Sequence, residues 1–260
     1  VNGGSVNGAT AARIELTTNA VGTATATADN NDVIGTGGRY TWITQGGTSM
    51  VTAANTAATA TVTNNDISIT NGTLGEGFSA DGGSARAIIN YWGRADAAAN
   101  NNTVTLRNNT GEINGSLIGG SAYADPIGTT GSATANENAV TVEGGSYEDG
   151  RDVTGGNAGA SGELRTVAAT AHANRITLSP VRAPWEEIRG GEASAIGTDT
   201  EAQASTSANI VRLSGGRFEK DIYGGDSYAL ATRGTATATA ESNEVYLHGG
   251  SYVRSTVVVR

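Results

Sequence analysis

Read for hydrophobic and polar positions, the chain alternates with a period of two over short stretches, and those stretches recur. The cleanest is Thr235-Ala-Thr-Ala-Thr-Ala240, which runs on into Asn243-Glu-Val-Tyr-Leu247. Small apolar residues hold one column at Ala26, Ala60, Ala97, Ala133, Ala169, Ala204 and Ala238. Two places on stand Ala28, Val62, Ala99, Ala135, Ala171, Thr206 and Ala240. Between the two columns, pointing the other way, are Thr27, Thr61, Ala98, Thr134, Thr170, Ser205 and Thr239. Such alternation predicts a strand with one buried and one wet face. The buried residue is nearly always Ala, so the wall opposite must lie close.

Beyond this strand comes an asparagine: Asn31, Asn65, Asn102, Asn138, Asn174, Asn209 and Asn243, spaced by 34 to 37 residues. Two residues after each stands Val33, Ile67, Val104, Val140, Ile176, Val211 or Val245. A further apolar residue follows two places on in six of seven repeats, as in Val104/Leu106 and Ile176/Leu178, with Gly35 the break. That predicts a second strand, with the Asn at the corner between the two. Glycine pairs recur at nearly the same period: Gly3-Gly4, Gly46-Gly47, Gly82-Gly83, Gly119-Gly120, Gly155-Gly156, Gly190-Gly191 and Gly224-Gly225. They predict further corners, where positive φ or close coil-to-coil approach is needed. On this alignment the first repeat is longer, with extra residues between Gly4 and Asn31. Tyr40, Tyr147, Trp185, Phe218 and Tyr252 follow a Gly pair or its degenerate equivalent and lead into a short third strand such as Asp221-Ile222-Tyr223.

Like residues recurring at a fixed period stack as parallel strands ~4.8 Å apart. The expected fold is all-β: a right-handed parallel β-helix, or β-solenoid, of about seven repeats. One three-stranded coil per repeat, with one long loop, is preferred over two thin coils. Residues 1–260 are expected to form a single solenoid domain cut from a longer chain. Neither end shows a polar cap over open strand edges, which predicts continuation on both sides or stacking on further copies.

Composition narrows the partners. The net charge is −9 and lysine occurs once, at Lys220, which disfavours nucleic acid, since phosphate binding needs clustered cations. No apolar run approaches the ~20 residues of a membrane helix, so no membrane insertion by this segment is expected. The absence of cysteine excludes a disulfide framework and a Cys-based metal site. Disorder is the compositional rival for so Gly-rich a chain, but disorder predicts no register between columns.

The candidate chemistry divides between repeated columns and the places where they break. The asparagine column reads as a stacked amide ladder at a tight corner rather than as a ligand-binding row. The Thr/Ser column raises ice binding, but Ala98 interrupts it, and its outer neighbour varies as Thr25, Thr59, Asp96, Ser132, Ala168, Gln203 and Thr237. An acidic row, Glu76, Glu112, Glu148, Glu186 and Glu219 with Asp149 and Glu187 beside it, raises Ca²⁺. The glycine-aspartate nonapeptide of calcium-binding β-rolls is missing, so neither a metal nor any other cofactor is expected. Parallel β-helices also host polysaccharide lyases and hydrolases, for which Asp149/Asp152 and Glu186/Glu187 are the candidate carboxylates. His172 and His248 occupy different unit positions, and no Ser/His/Asp set stands out. The breaks are loops: Asp125-Pro126, the stretch from Arg182 to Trp185, and Ile88 to Trp92. Their aromatics Tyr91, Trp92, Tyr123 and Trp185 are the candidate contact surface, the alternative being that they pack on the coil as plugs.

The pattern Asn-x-Val-x-Leu-x-Gly-Gly-x-Phe, then Ile-Tyr-Gly-Gly-x-Ser, then alternating Ala/Thr, runs from Asn209 through Gly225 to Gly250 and more loosely through the other repeats. It resembles the repeat arrays of autotransporter passenger domains from Gram-negative bacteria. The resemblance implies a secreted, cell-surface β-helix displayed through a C-terminal outer-membrane barrel outside this sequence. It implies adhesion or self-association rather than catalysis. The implied partner is a host or neighbouring-cell surface protein or glycan, or a second copy. A polysaccharide-active enzyme and an ice-binding solenoid are the alternatives.

Overall fold

The computed structural model describes residues 4–18, 23–54, 57–127, 130–147, 151–179, 184–253 and 256–259. These form a parallel β-solenoid of about seven turns with no helix among the described residues. One repeat makes one coil. Asp32–Thr36, Asp66–Thr70, Thr103–Arg107, Ala139–Glu143, Arg175–Ser179, Ile210–Ser214 and Glu244–His248 stack in sequence order as a seven-stranded parallel sheet. Their register puts Val33, Ile67, Val104, Val140, Ile176, Val211 and Val245 in one inward column. A larger sheet carries the alanine strands and the long strands that face them, such as Ser79–Ile89 and Leu117–Pro126. In two coils the long and alanine strands run on as single strands, Val153–His172 and Ile188–Ser207.

The corner before each column asparagine is made by the preceding residue. Asn30, Asn64, Asn101, Glu137, Ala173, Ala208 and Ser242 all adopt the left-handed conformation, with φ between 54° and 57°. The second corner uses Gly37, Asn71, Asn108, Gly144, Gly215 and Gly249, again left-handed.

Two cores lie side by side within the coil. One is a thin alanine core, in which Ala85, Ala87, Ala122 and Ala124 face Ala95, Ala97, Ala133 and Ala135. The other is bulky, with Ile67, Leu106, Val140 and Leu178 packed on Tyr40, Phe78, Tyr147, Trp185 and Phe218. Burial of each of the larger side chains contributes ~1.5–3 kcal/mol. The asparagine column and the glycine pairs meet as a waist between the two cores. A Cβ on Gly47 would lie 2.7 Å from Asn65 Oδ1, and one on Gly83 2.6 Å from Asn102 Cγ.

Two sequence expectations need correction here. The pairs from Gly46-Gly47 onward are not corners. They lie within or beside the strands and carry no positive φ; of the two reasons expected for glycine, close coil-to-coil approach is the one that holds, since neighbouring coils and the asparagine amides leave no room for Cβ. Nor is the first repeat longer. Ser5 pairs with Arg39 and Ala12 with Gly47, so Gly4 aligns with Gly38 of the other glycine column (Gly3 lies outside the described residues). The chain carries two glycine columns of similar period, and Gly4 belongs to the positive-φ column of Gly38.

Candidate functional site

The asparagine column uses its full hydrogen-bonding capacity internally. Each Asn Nδ2 donates to Oδ1 of the next: Asn31 to Asn65 at 2.9 Å, Asn65 to Asn102 at 2.9 Å, Asn102 to Asn138 at 3.1 Å, and Asn138 to Asn174 at 3.2 Å. The row continues from Asn174 to Asn209 at 3.0 Å and from Asn209 to Asn243 at 2.8 Å. The same oxygens accept the backbone N–H of the preceding Asn, as in Asn138 N–H to Asn174 Oδ1 at 3.0 Å. The second Nδ2 proton goes to a backbone carbonyl of the previous coil, for example from Asn138 to Ala99 at 2.8 Å. In the five interior members, Asn65, Asn102, Asn138, Asn174 and Asn209, two donors and two acceptor positions are thereby filled, which leaves none of these amides free for a ligand. Asn109 makes a second buried amide site at the other corner, donating to Ile69 O at 2.8 Å and accepting from Gly72 N–H at 2.7 Å. Its sequence signal was the Asn108-Asn109 pair standing where other coils have two glycines.

The outer face of the long strands carries an open groove instead. Arg86, Tyr123, Gly159, Ser194 and Tyr228 form one outward column by register. Ser84, Ser121, Asn157, Glu192 and Asp226 form the column beside it. Gly159 lacks a side chain where its neighbours have one, and this opens a groove of about 530 Å³ whose walls include Tyr123, Asp125, Asn157, Glu192 and Ile196. The Tyr123 ring leans across that gap. A Cβ on Gly159 would lie 2.8 Å from its Cδ1. Asn157 Nδ2 donates to Tyr123 Oη at 2.9 Å and holds the ring there. On the far side, Ser161 Oγ donates to Asp125 Oδ1 at 2.9 Å.

The electrostatics around the groove are acidic and crowded. Burial pushes the Tyr123 hydroxyl up to about 12, the Asp81 and Glu192 charges add to this, and Arg86 opposes it. Burial raises Asp81 to about 6, against the hydrogen bonds it accepts from Ser121 Oγ at 2.9 Å and Gly83 N–H at 3.1 Å. Glu192 is also raised, first by burial and then by Asp226, Glu187 and Asp152, with Arg189 opposing. Arg189 is the hub that tolerates this cluster, 2.8 Å from Glu187, 3.5 Å from Asp226 and 3.9 Å from Glu192. Its guanidinium carbon lies 5.9 Å from the Tyr223 ring centroid.

The four aromatics proposed from sequence as a contact surface do not come together. Tyr123 lines the groove and is exposed. Tyr91 and Trp92 are exposed on the turn after Ser79–Ile89, at the outer end of the alanine core, and do not line it. Trp185 corrects the expectation for its position. It is fully buried in the aromatic column, its ring tilted by 50° against that of Tyr147 with centroids 6.1 Å apart, so it offers no contact surface. Its place beside Phe218 in register, rather than the loop before it, decides its burial.

The acidic row is broken up by cations. Glu186 is 2.7 Å from Lys220 and 3.8 Å from Arg151, and Glu219 is 3.0 Å from Arg217. The hydrogen bond from Lys220 holds Glu186 below the usual carboxylate range. Glu148 and Asp149 lie outside the described residues. Among the described residues no three His, Cys, Asp or Glu side chains are placed to hold a metal ion. His172 contacts Ser207 at 2.9 Å, while His248 ends a strand of the other sheet. No protein-family model, curated protein or solved structure matches this chain.

Proposed function

We propose that this chain is a surface-displayed adhesive segment, an inert solenoid rod whose outer face and loop aromatics contact another cell or another copy. The observation that supports this best is the contrast between the filled asparagine interior and the open outer groove around Tyr123. The exposed Tyr91 and Trp92 add a second patch in which aromatic rings meet solvent. The repeat pattern, similar to autotransporter passengers, supports an extracellular location with outer-membrane display. Partners in this reading are a surface protein or glycan of a host or neighbouring cell, or the same chain.

A polysaccharide-active enzyme is less well supported. Of its candidate carboxylates, Glu186 is paired with Lys220, and Asp152 accepts the Glu187 N–H at 3.3 Å. Neither lines the groove. A general acid needs a raised pKa, and Glu186 is lowered. Ice binding needs a regular hydroxyl array, and Ala98 and Asp96 interrupt the one present.

Beads coated with the 260-residue chain test the adhesive reading. Saturable attachment to bacterial or epithelial cells, or bead clumping, is expected. Beads that neither attach nor clump overturn it, as does localisation of the native protein to the cytoplasm.

A further inference from the structure

We propose that the groove over Gly159 binds a short linear oligosaccharide free of acidic groups, lying along the solenoid axis between Tyr123 and Tyr228. The proposal rests on the adhesive reading and names the ligand class of the same face.

The geometry of Tyr123 carries it. The ring lies over a glycine, its hydroxyl is held by Asn157, and it remains 40% exposed. A ring held in this way loses little freedom when the apolar C–H face of a sugar settles on it. Tyr228 stands three coils further along the same column and is 52% exposed. Three inter-coil steps make roughly 14 Å; the Tyr123 ring covers Gly159, Ser194 is the low floor beyond it, and Tyr228 stands past the groove's own lining at the far end of the column. Aromatic platforms separated by a trough suit an extended chain of rings, and the groove volume of about 530 Å³ is in the range of small-ligand sites.

The flank supplies the polar half. Asn157, Glu192 and the Ser161–Asp125 pair put donors and acceptors beside the trough, and sugar hydroxyls can both donate and accept. Charge chooses among sugars. Asp125 and Glu192 line the groove with Arg86, and just outside the lining Asp81 and Asp226 stand close by with Arg189, which pairs with Glu192 and Asp226; four acids against two cations leave the groove net acidic. Sulfated or carboxylated glycans meet repulsion there, while neutral or amino sugars do not. An extended peptide fits worse. The central long strands are hydrogen-bonded on both sides, leaving no edge for strand addition.

The test is titration calorimetry on the full chain with N-acetylchitotetraose, cellotetraose, a chitosan tetramer and a heparin tetrasaccharide. Saturable binding of a neutral or amino tetrasaccharide and none of heparin is expected. Tyr123→Ala should weaken binding about tenfold or more. Gly159→Val, whose side chain collides with the Tyr123 ring, should abolish it, and Tyr228→Ala should remove the preference for a tetramer over a dimer. Circular dichroism melts of each variant show whether the solenoid is intact. Tyr123→Phe is the milder probe, keeping the platform and losing only the Asn157 bond. No binding of any neutral or amino oligosaccharide, binding of heparin alone, or affinity unchanged in folded Tyr123→Ala and Gly159→Val overturns the proposal. Coated beads separate it from the adhesive reading. Wild-type beads that adhere as well with Tyr123→Ala sink the groove alone, and sugar binding without adhesion or clumping sinks the adhesive reading alone.

Discussion

The interior waist and the outer face belong to the same coils, yet they obey opposite rules. At the waist, seven positions hold one residue type, and six amide-to-amide bonds join them, so each of the five interior amides bonds above and below. On the outer face, equivalent positions hold Arg86, Tyr123, Gly159, Ser194 and Tyr228, which share no chemistry. A column of identical residues is one in which each copy completes the next, so its polar capacity is spent inside the molecule. A column that varies is free to be shaped, and one missing side chain at Gly159 makes the groove. In a stacked fold, repetition marks support and the break in repetition marks the place to look for contact.

The largest expected effect tests the waist. Asn138→Leu removes the acceptor of Asn102 N–H and Nδ2 and the donor to Ala99 O, all buried. Each group left without a partner costs about 1–3 kcal/mol, so a loss of roughly 3 kcal/mol or more is expected in denaturant unfolding. The same change on the outer face, Ser194→Leu, should leave stability within about 0.5 kcal/mol. Equal losses at the two sites would erase the contrast. Gly120→Ala comes next. Its Cβ would collide with Asn138 Oδ1, and such overpacking costs ~1–3 kcal/mol. A melting temperature unchanged by this substitution would mean that the waist is looser than its geometry implies.

Asp81 tests the outer face. Its folded pKa of about 6 lies above the ordinary carboxylate value, so the folded state binds the proton more tightly than the unfolded chain. The ionised form is the penalised one. Stability should therefore rise as pH falls through about 6 toward the unfolded value near 4, by at most ~1–3 kcal/mol. Asp81→Asn keeps an oxygen for the Gly83 N–H and sets Nδ2 where Ser121 Oγ can accept, and it should remove this part of the pH dependence, gaining stability above pH 7. Parallel wild-type and Asn melts from pH 4 to 8 would show it. Curves of the same shape would place the penalty elsewhere.

The solenoid was legible because its register is written in small residues. Ala60, Asn65 and Ile67 recur without an intervening helix, and parallel stacking is the arrangement that places like on like. The glycine pairs three residues before Arg86, Tyr123, Gly159, Ser194 and Tyr228 align these positions in the sequence, but the outer column repeats no chemistry, so nothing in the sequence marks it as a groove. The backbone pairing confirms the alignment, and the missing side chain at Gly159 gives it a shape. Of the two readings open for Trp185, contact surface or plug, its burial selects the plug: its alignment with Phe218 and Tyr252 turns it inward despite the loop break before it. The two glycine columns were confused for a physical reason as well. Gly38 is glycine for its φ of 81° and Gly47 for lack of room, and the two demands leave the same letter in the sequence.

The smallest effect concerns the joint between the two regions. The residue before each column asparagine turns the chain from the alanine strand toward the waist, always at φ near 55°. Asn30, Asn64 and Asn101 suit that conformation, since a short amide tolerates the left-handed region, but Ala173 and Ala208 do not. Alanine persists there because flanking bonds impose the turn: Ala208 N–H donates to Glu241 O at 3.2 Å, and Asn209 beside it is locked in the ladder. Ala208→Asn should relieve the strain and stabilise the chain by about 0.5–1 kcal/mol, read as a small rise in melting temperature. The gain depends on the ladder holding the next residue. In an Asn209→Leu background the corner is no longer imposed and the benefit should shrink toward zero. A gain of the same size in both backgrounds would show that the corner is set by its own backbone, and that the waist does not reach as far as the alanine strand.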